Sequence, residues 1–191
     1  MKFDVIVIGG GLAGITAAFD LQFNDYKCAV ISEGLSLSKA DGKDFVDYGG
    51  TVIPGDRVCD AEFEGGLLKS VRTEKLGDVS LEADNFILAT GKFFSKGLVA
   101  DMDKVYEPIF GLDVHYDPDR GNWFKGSFAA HQPFLDFGVE TDEAGHAILG
   151  GEPVSNLYAA GEILKGISGA EQDATEIIKE SALKAAQQIR K

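Results

Sequence analysis

The chain has 191 residues, of which 45% are hydrophobic and 26% charged, which suits one water-exposed domain with a substantial core. Its 31 acidic residues against 18 basic ones give a formal net charge of -13, which argues against nucleic acid and anionic lipid as partners. No apolar run is long enough for a direct membrane span. The first apolar run is short, follows Asp4 and ends in glycines, unlike a signal peptide, so a cytoplasmic location is expected.

Residues 3–8 form a nearly continuous apolar run, as in a strand buried on both faces of a parallel sheet. The run leads directly into GGGLAG, a G-x-G-x-x-G turn over residues 9–14. Gly9 permits the tight turn, Gly11 lets backbone approach a pyrophosphate, and Gly14 allows a helix to pack closely on the strand. A helix is expected over about 12–23, with Ile15, Ala18 and Leu21 on one side. Its free N–H groups and dipole then face the phosphates, a local attraction that the acidic net charge does not supply.

A second strand is expected over 27–32, with Glu33 at its carboxyl end. A carboxylate there accepts hydrogen bonds from adenosine ribose hydroxyls and repels a 2′-phosphate, which disfavours NADP. This βαβ unit by itself suits NAD or FAD equally.

Residues 34–50 read as a loop or short helix, the helix over 44–48. Runs at 51–53, 58–63, 67–73 and 79–81, separated by turn signals such as EGG at 64–66, suggest a small antiparallel β-meander over about 51–83. Residues 84–91, DNFILATG, form a further buried strand. Residues 92–153 read as an irregular insertion that holds most of the aromatic residues, expected as a satellite core under long loops. A strand over 154–162 ends at Glu162, and a long C-terminal helix is expected to bury Ala174, Ile177, Ile178, Ser181, Ala182, Ala185, Ala186 and Ile189 on one face.

Cys28 and Cys59 belong to no C-x-x-C pair, so both are expected as buried, inert thiols. His115, His131 and His146 lack metal-ligand spacing and have no nearby cysteine, so no metal site is expected.

Three blocks carry a resemblance to a known family: FDVIVIGGGLAG; then ATGKFFSKGLVAD, YEPIFGLDV and RGNWFKGSFAAHQPFLDFGVETDEAG; then NLYAAGEILKG. The sequence resembles flavoproteins of the fumarate reductase type. The resemblance implies an α/β, Rossmann-like FAD-binding domain with a parallel central sheet and a small antiparallel meander. It covers residues 1–191 as one FAD-binding domain. The large middle section that packs over the flavin in that family has no counterpart here, so a substrate or cap domain is expected to be absent.

The implied cofactor is FAD in an extended pose. Gly9, Gly11, Leu12, Ala13 and Gly14 would frame its pyrophosphate, and Glu33 would hold the adenosine ribose. The backbone of Val58 would meet the adenine edge. Ala89, Thr90 and Gly91 would lie beside the phosphates. Glu162, with Gly161 beside it, would hold the pyrophosphate and ribityl region, and Gly169 and Ala170 before the last helix would lie near the ring.

The implied activity is hydride transfer to FAD from glycerol 3-phosphate or a similar alcohol as small-molecule substrate. No catalytic base stands out, His131 being a weak candidate. The alternatives are a noncatalytic flavin-binding or electron-transfer module and an NAD-binding Rossmann domain. A partner subunit or a homo-oligomer would cover the flavin.

Overall fold

The computed structural model describes residues 1–34, 37, 42–127, 129–170 and 172–191. The elements run β1 (Lys2–Ile8), α1 (Leu12–Phe23), β2 (Cys28–Ser32), α2 (Gly42–Asp47), β3 (Thr51–Pro54), β4 (Val58–Glu64), β5 (Leu67–Thr73) and β6 (Leu81–Leu88). There follow β7 (Val99–Ala100), β8 (Val105–Tyr106), β9 (Val114–His115), β10 (Gly138–Val139), β11 (His146–Leu149), β12 (Glu152–Ala159) and α3 (Ala174–Ile189). Short 3-10 turns lie at Arg120–Asn122, Pro133–Asp136 and Gly161–Ile163.

The main sheet has the order β11-β12-β6-β1-β2-β3, with β5 and then β4 joined to β6. Strands β12, β6, β1, β2 and β3 are parallel, and β11 is an antiparallel edge. The apolar run of β1 thus lies between β6 and β2, where both of its faces are covered. Val5 and Val7 pack with α1 and α3; Ile6 and Ile8 pack on the opposite side, with residues of the β4–β5 hairpin and of the 92–137 region. This is the α/β architecture expected for a βαβ-based dinucleotide fold. Among the described residues no separate cap layer stands over the sheet.

Strand β3 does not belong to the meander. It pairs in parallel with β2, Val30 opposite Val52. The run at 79–81 is also not separate from the strand at 84–91: it ends at Leu81, where β6 begins. One edge of β6 runs parallel to β1 from Glu82 onward; its other edge pairs antiparallel with β5 at first (Val71 opposite Leu81) and then parallel with β12. Local pattern reading divided this strand because its early half alternates, LEAD, and its later half is continuously apolar. Burial follows the same division, alternating at first and complete at Phe86, Ile87 and Leu88. The EGG turn is present, with Gly65 and Gly66 at φ of 61° and 80°, a two-residue hairpin loop that needs positive φ at both positions.

The 92–153 region carries more order than an irregular insertion. It contains two small antiparallel pairs, β7–β8 and β9–β10, and all of β11. Trp123, Phe137 and Tyr116 pack edge to face under it, as do Phe93 and Phe134. Phe94 and Phe124 are exposed instead, and Phe128 lies outside the described residues. Glu107 is buried at the centre of its loop, where its carboxylate accepts the N–H groups of Ile109, Phe110 and Gly111 at 2.8, 2.7 and 3.1 Å. Burial pushes this carboxyl up, and the same N–H groups oppose the shift.

Cys28 is buried, but Cys59 is exposed. It sits on the outward side of β4, in an edge hairpin with one solvated face. The three histidines are far apart in role: His115 is near Glu140, His131 pairs with Asp136, and His146 pairs with Asp142. No described helix is long and apolar enough to cross a membrane.

Candidate functional site

The carboxyl ends of β1, β2, β6 and β12 open into one cleft of about 360 Å³. Its floor is the glycine turn. Gly9 has φ +116°, and a Cβ there would stand 2.2 Å from the Ala89 carbonyl oxygen, so only glycine lets β1 turn so close to β6. Gly14 is buried behind the cleft, where a Cβ would stand 1.8 Å from the Gly9 carbonyl oxygen. That contact sets how closely α1 lies on β1.

Gly11 is different. It is exposed, and a Cβ there would meet no atom of the described residues within 4 Å. It is also the N-cap of α1, and among the described residues no side chain caps that helix end. The first N–H groups of a helix have no partner within it. The cleft therefore receives a bare, partly positive helix end through backbone with no side chain in the way. That is what an anion such as a pyrophosphate requires.

Glu33 stands exposed at the carboxyl end of β2 and lines the cleft. Val58, the first residue of β4, lines the same end. Ala89, Thr90 and Gly91 line the wall next to the glycine turn, where the Ala89 N–H donates to the Ile8 carbonyl at 2.8 Å. Leu12, Ala13 and Glu162 complete the lining expected from the sequence.

Four of the expected residues lie behind or beside the cleft. Gly14 does so as described. Gly161 donates its N–H to Ser181 Oγ at 2.9 Å, and a Cβ there would strike Ala13 at 2.5 Å. Gly169 lies against the Glu162 side chain, since its Cβ would stand 1.6 Å from Glu162 Oε1. Ala170 is exposed and donates to Ser168 Oγ at 3.2 Å. Gly161 and Gly169 thus bear on the lining without being part of it. Glu171, between Ala170 and the last helix, lies outside the described residues.

Sequence reading missed Ser32, Asp56, Arg57, Ile109 and Ile178, which also line the cleft. Asp56 and Arg57 follow a Pro-Gly turn signal and read as ordinary turn residues. The parallel pairing of β3 with β2, Pro54 opposite Ser32, brings them beside Glu33. His131 is not among the lining residues. Its Nε2 lies 2.8 Å from Asp136 Oδ2 at the surface.

A family model described as FAD binding domain matches residues 4–40 and 31–176. Relatives named as one of the subunits of anaerobic glycerol-3-phosphate dehydrogenase are similar to this chain. That of Vibrio vulnificus is 43% identical over 70% of this chain and 31% of its own length. That of Yersinia enterocolitica is 40% identical over 82% of this chain and 37% of its own. The chain thus spans about a third of the length of the curated relatives it matches. An oxidoreductase structure from Agrobacterium tumefaciens superposes with a TM-score of 0.61 at 12% identity, covering 100% of this chain and 98% of that one, a likeness of fold. With the family match covering most of its length, the chain belongs to the FAD binding domain family.

Proposed function

We propose that the chain holds FAD along the carboxyl edge of its sheet and serves as the flavin-carrying part of a dehydrogenase. The observation that carries this reading is the meeting, in one cleft, of the uncapped α1 end at Gly11, the strand-end acid Glu33 and the Ala89–Thr90–Gly91 wall. In this reading Gly9, Gly11, Leu12, Ala13 and Gly14 frame the pyrophosphate. Glu33 takes the ribose hydroxyls, and the backbone of Val58 meets adenine. Thr90 and Gly91 flank the phosphates, and Glu162, seated on Gly169, serves the ribityl region. Bound FAD supplies a two-electron acceptor, and the protein supplies orientation and exclusion of water.

The substrate proposed from the 43% identical relatives is glycerol 3-phosphate or a similar alcohol. Their naming as one subunit of a larger dehydrogenase supports a partner chain that covers the flavin and completes the substrate side. A noncatalytic flavin-binding or electron-transfer module is the second reading. It is favoured by the position of His131, the one base the sequence offered, outside the cleft and tied to Asp136.

The visible spectrum of the purified protein tests cofactor binding. A colourless protein that stays colourless after incubation with FAD would overturn the proposal. Anaerobic addition of glycerol 3-phosphate then separates the readings. Bleaching of the flavin supports turnover by this chain, and an unbleached spectrum supports the module.

A further inference from the structure

Asp56 is a charged side chain only 4% exposed, in a turn where a neutral residue could serve. Its surroundings explain its position. The Asp56 main-chain N–H donates to the carbonyl of Ser32, the residue before Glu33, at 3.1 Å, and the neighbouring Gly55 N–H donates to the Gly34 carbonyl at 3.0 Å. Its Oδ1 accepts the N–H of Arg57 at 2.9 Å and that of Lys75 at 3.0 Å. The Glu74 N–H in turn donates to the Arg57 carbonyl at 3.1 Å. Three chain segments meet at this residue: its main chain holds the end of β2 that bears Glu33, and its side chain ties the start of β4 that bears Val58 to the segment leaving β5.

Burial pushes the Asp56 carboxyl up. The Thr73 hydroxyl, the Lys75 and Arg57 N–H groups and the Lys75 charge outweigh that and hold it below the usual carboxylate range. The group is thus anionic at neutral pH, beside Glu33 in the lining of a cleft meant for an anion. A buried charge without compensation is costly. Here backbone donors of the segments it joins compensate Oδ1, while Oδ2 is buried without a hydrogen-bond partner among the described residues.

We propose that Asp56 is the positioning residue of the adenosine end: it fixes the Arg57–Val58 backbone at a set distance from Glu33, so that adenine and ribose are held at once. The proposal rests on the FAD reading above. It assigns to Asp56 no contact with the cofactor, only control of the two groups that would make one.

The test compares Asp56→Ala with Val71→Ala, a core substitution in the same hairpin at a fully buried residue outside the cleft lining. FAD dissociation constants are read from flavin fluorescence, and ADP is titrated as competitor for the adenosine end. Thermal unfolding gives the stability of each variant. Losing two bonds to a charged acceptor lowers the Tm of Asp56→Ala, and with the Arg57–Val58 backbone no longer fixed, FAD and ADP should both bind about tenfold more weakly. Val71→Ala should leave both within about twofold, although removing a buried side chain lowers its Tm.

Asp56→Asn keeps one acceptor oxygen and should fall between wild type and Asp56→Ala. If Asp56→Ala does not fold, Asp56→Asn carries the test. Wild-type affinity in the folded Asp56 variant, or a loss no greater than that of Val71→Ala, overturns the proposal. A wild-type protein that binds no FAD overturns the functional reading first, which keeps the two failures distinct.

Discussion

Gly11→Val separates folding from cofactor binding. Gly11 has φ -75° and ψ -172°, an extended conformation open to any residue, and a Cβ there meets no atom of the described residues within 4 Å. Valine is a poorer N-cap than glycine, by up to about 1 kcal/mol. Removing glycine also restricts the unfolded chain, which returns about 0.4–1 kcal/mol. The two effects nearly cancel, so Tm should move by no more than about 4 °C. The new methyl groups project into the cleft at the bare end of α1. They would displace a pyrophosphate from at least two helix N–H groups, each bond to a charged group being worth about 1.5–3 kcal/mol. At about 1.4 kcal/mol per factor of ten, affinity falls at least about 100-fold. Thermal unfolding and flavin fluorescence on one preparation measure both quantities. Gly14→Val is the contrasting case, since its Cβ would overlap the Gly9 carbonyl oxygen at 1.8 Å, and it should unfold the protein. A Gly11→Val protein that retains FAD at the wild-type level would refute the placement of the pyrophosphate.

Three further outcomes follow from the packing. Burial, with the charge of Asp4 nearby, pushes the Cys28 thiol up to about 12, whereas Cys59 is exposed. A native thiol assay should therefore label one cysteine, and both only after denaturation; rapid labelling of both in the native protein would contradict this burial. Asp142 accepts from the His146 main chain at 2.8 Å and lies 2.8 Å from its Nδ1. Burial pushes the Asp142 carboxyl up, but these bonds outweigh it and hold the carboxyl below its usual value. A depressed folded-state value gives stability that is present above the unfolded value, about 3.9, and is lost as pH falls through the folded one. Asp142→Asn should thus lower Tm at pH 7 and converge with wild type in acid; a gap that stays constant down to acid pH would count against the pairing. Phe86 is fully buried in β6 between β1 and β12, so Phe86→Ala should cost about 3–5 kcal/mol in urea unfolding. A loss under about 1 kcal/mol would place β6 nearer the edge of the sheet than its pairing indicates.

Much of the fold was legible where local pattern and tertiary role coincide. A short apolar run, three spaced glycines and a helix with small residues on one side can be read without knowing what surrounds them. The β1–α1–β2 unit appears with its expected boundaries nearly unchanged for that reason. The meander was harder. Strand β6 changes partner along one edge, antiparallel to β5 and then parallel to β12, while β1 runs along the other, and a sequence window sees only a change of pattern. Strand β3 is four residues long and follows a turn, so its side of the sheet was not encoded locally. Cys59 was expected inside because cysteines usually are, but its strand lies on a hairpin with one face in water.

The candidate site divides in the same way. Gly9, Gly11, Gly14 and Glu33 lie within one supersecondary unit, and their spacing alone places them together. Ala89, Thr90, Gly91 and Glu162 were named only through the family resemblance, and it is the parallel sheet that returns the ends of their strands to the same edge. Asp56 and Arg57 carried no signal, because a Pro-Gly turn accepts many residues after it. The sequence by itself determined the backbone approach to a dinucleotide, since glycine conformations and helix-end dipoles are local properties. The tertiary structure alone decided which turn residues meet Glu33 and that His131 stands apart from the cleft, since both depend on contacts between segments far apart in the chain.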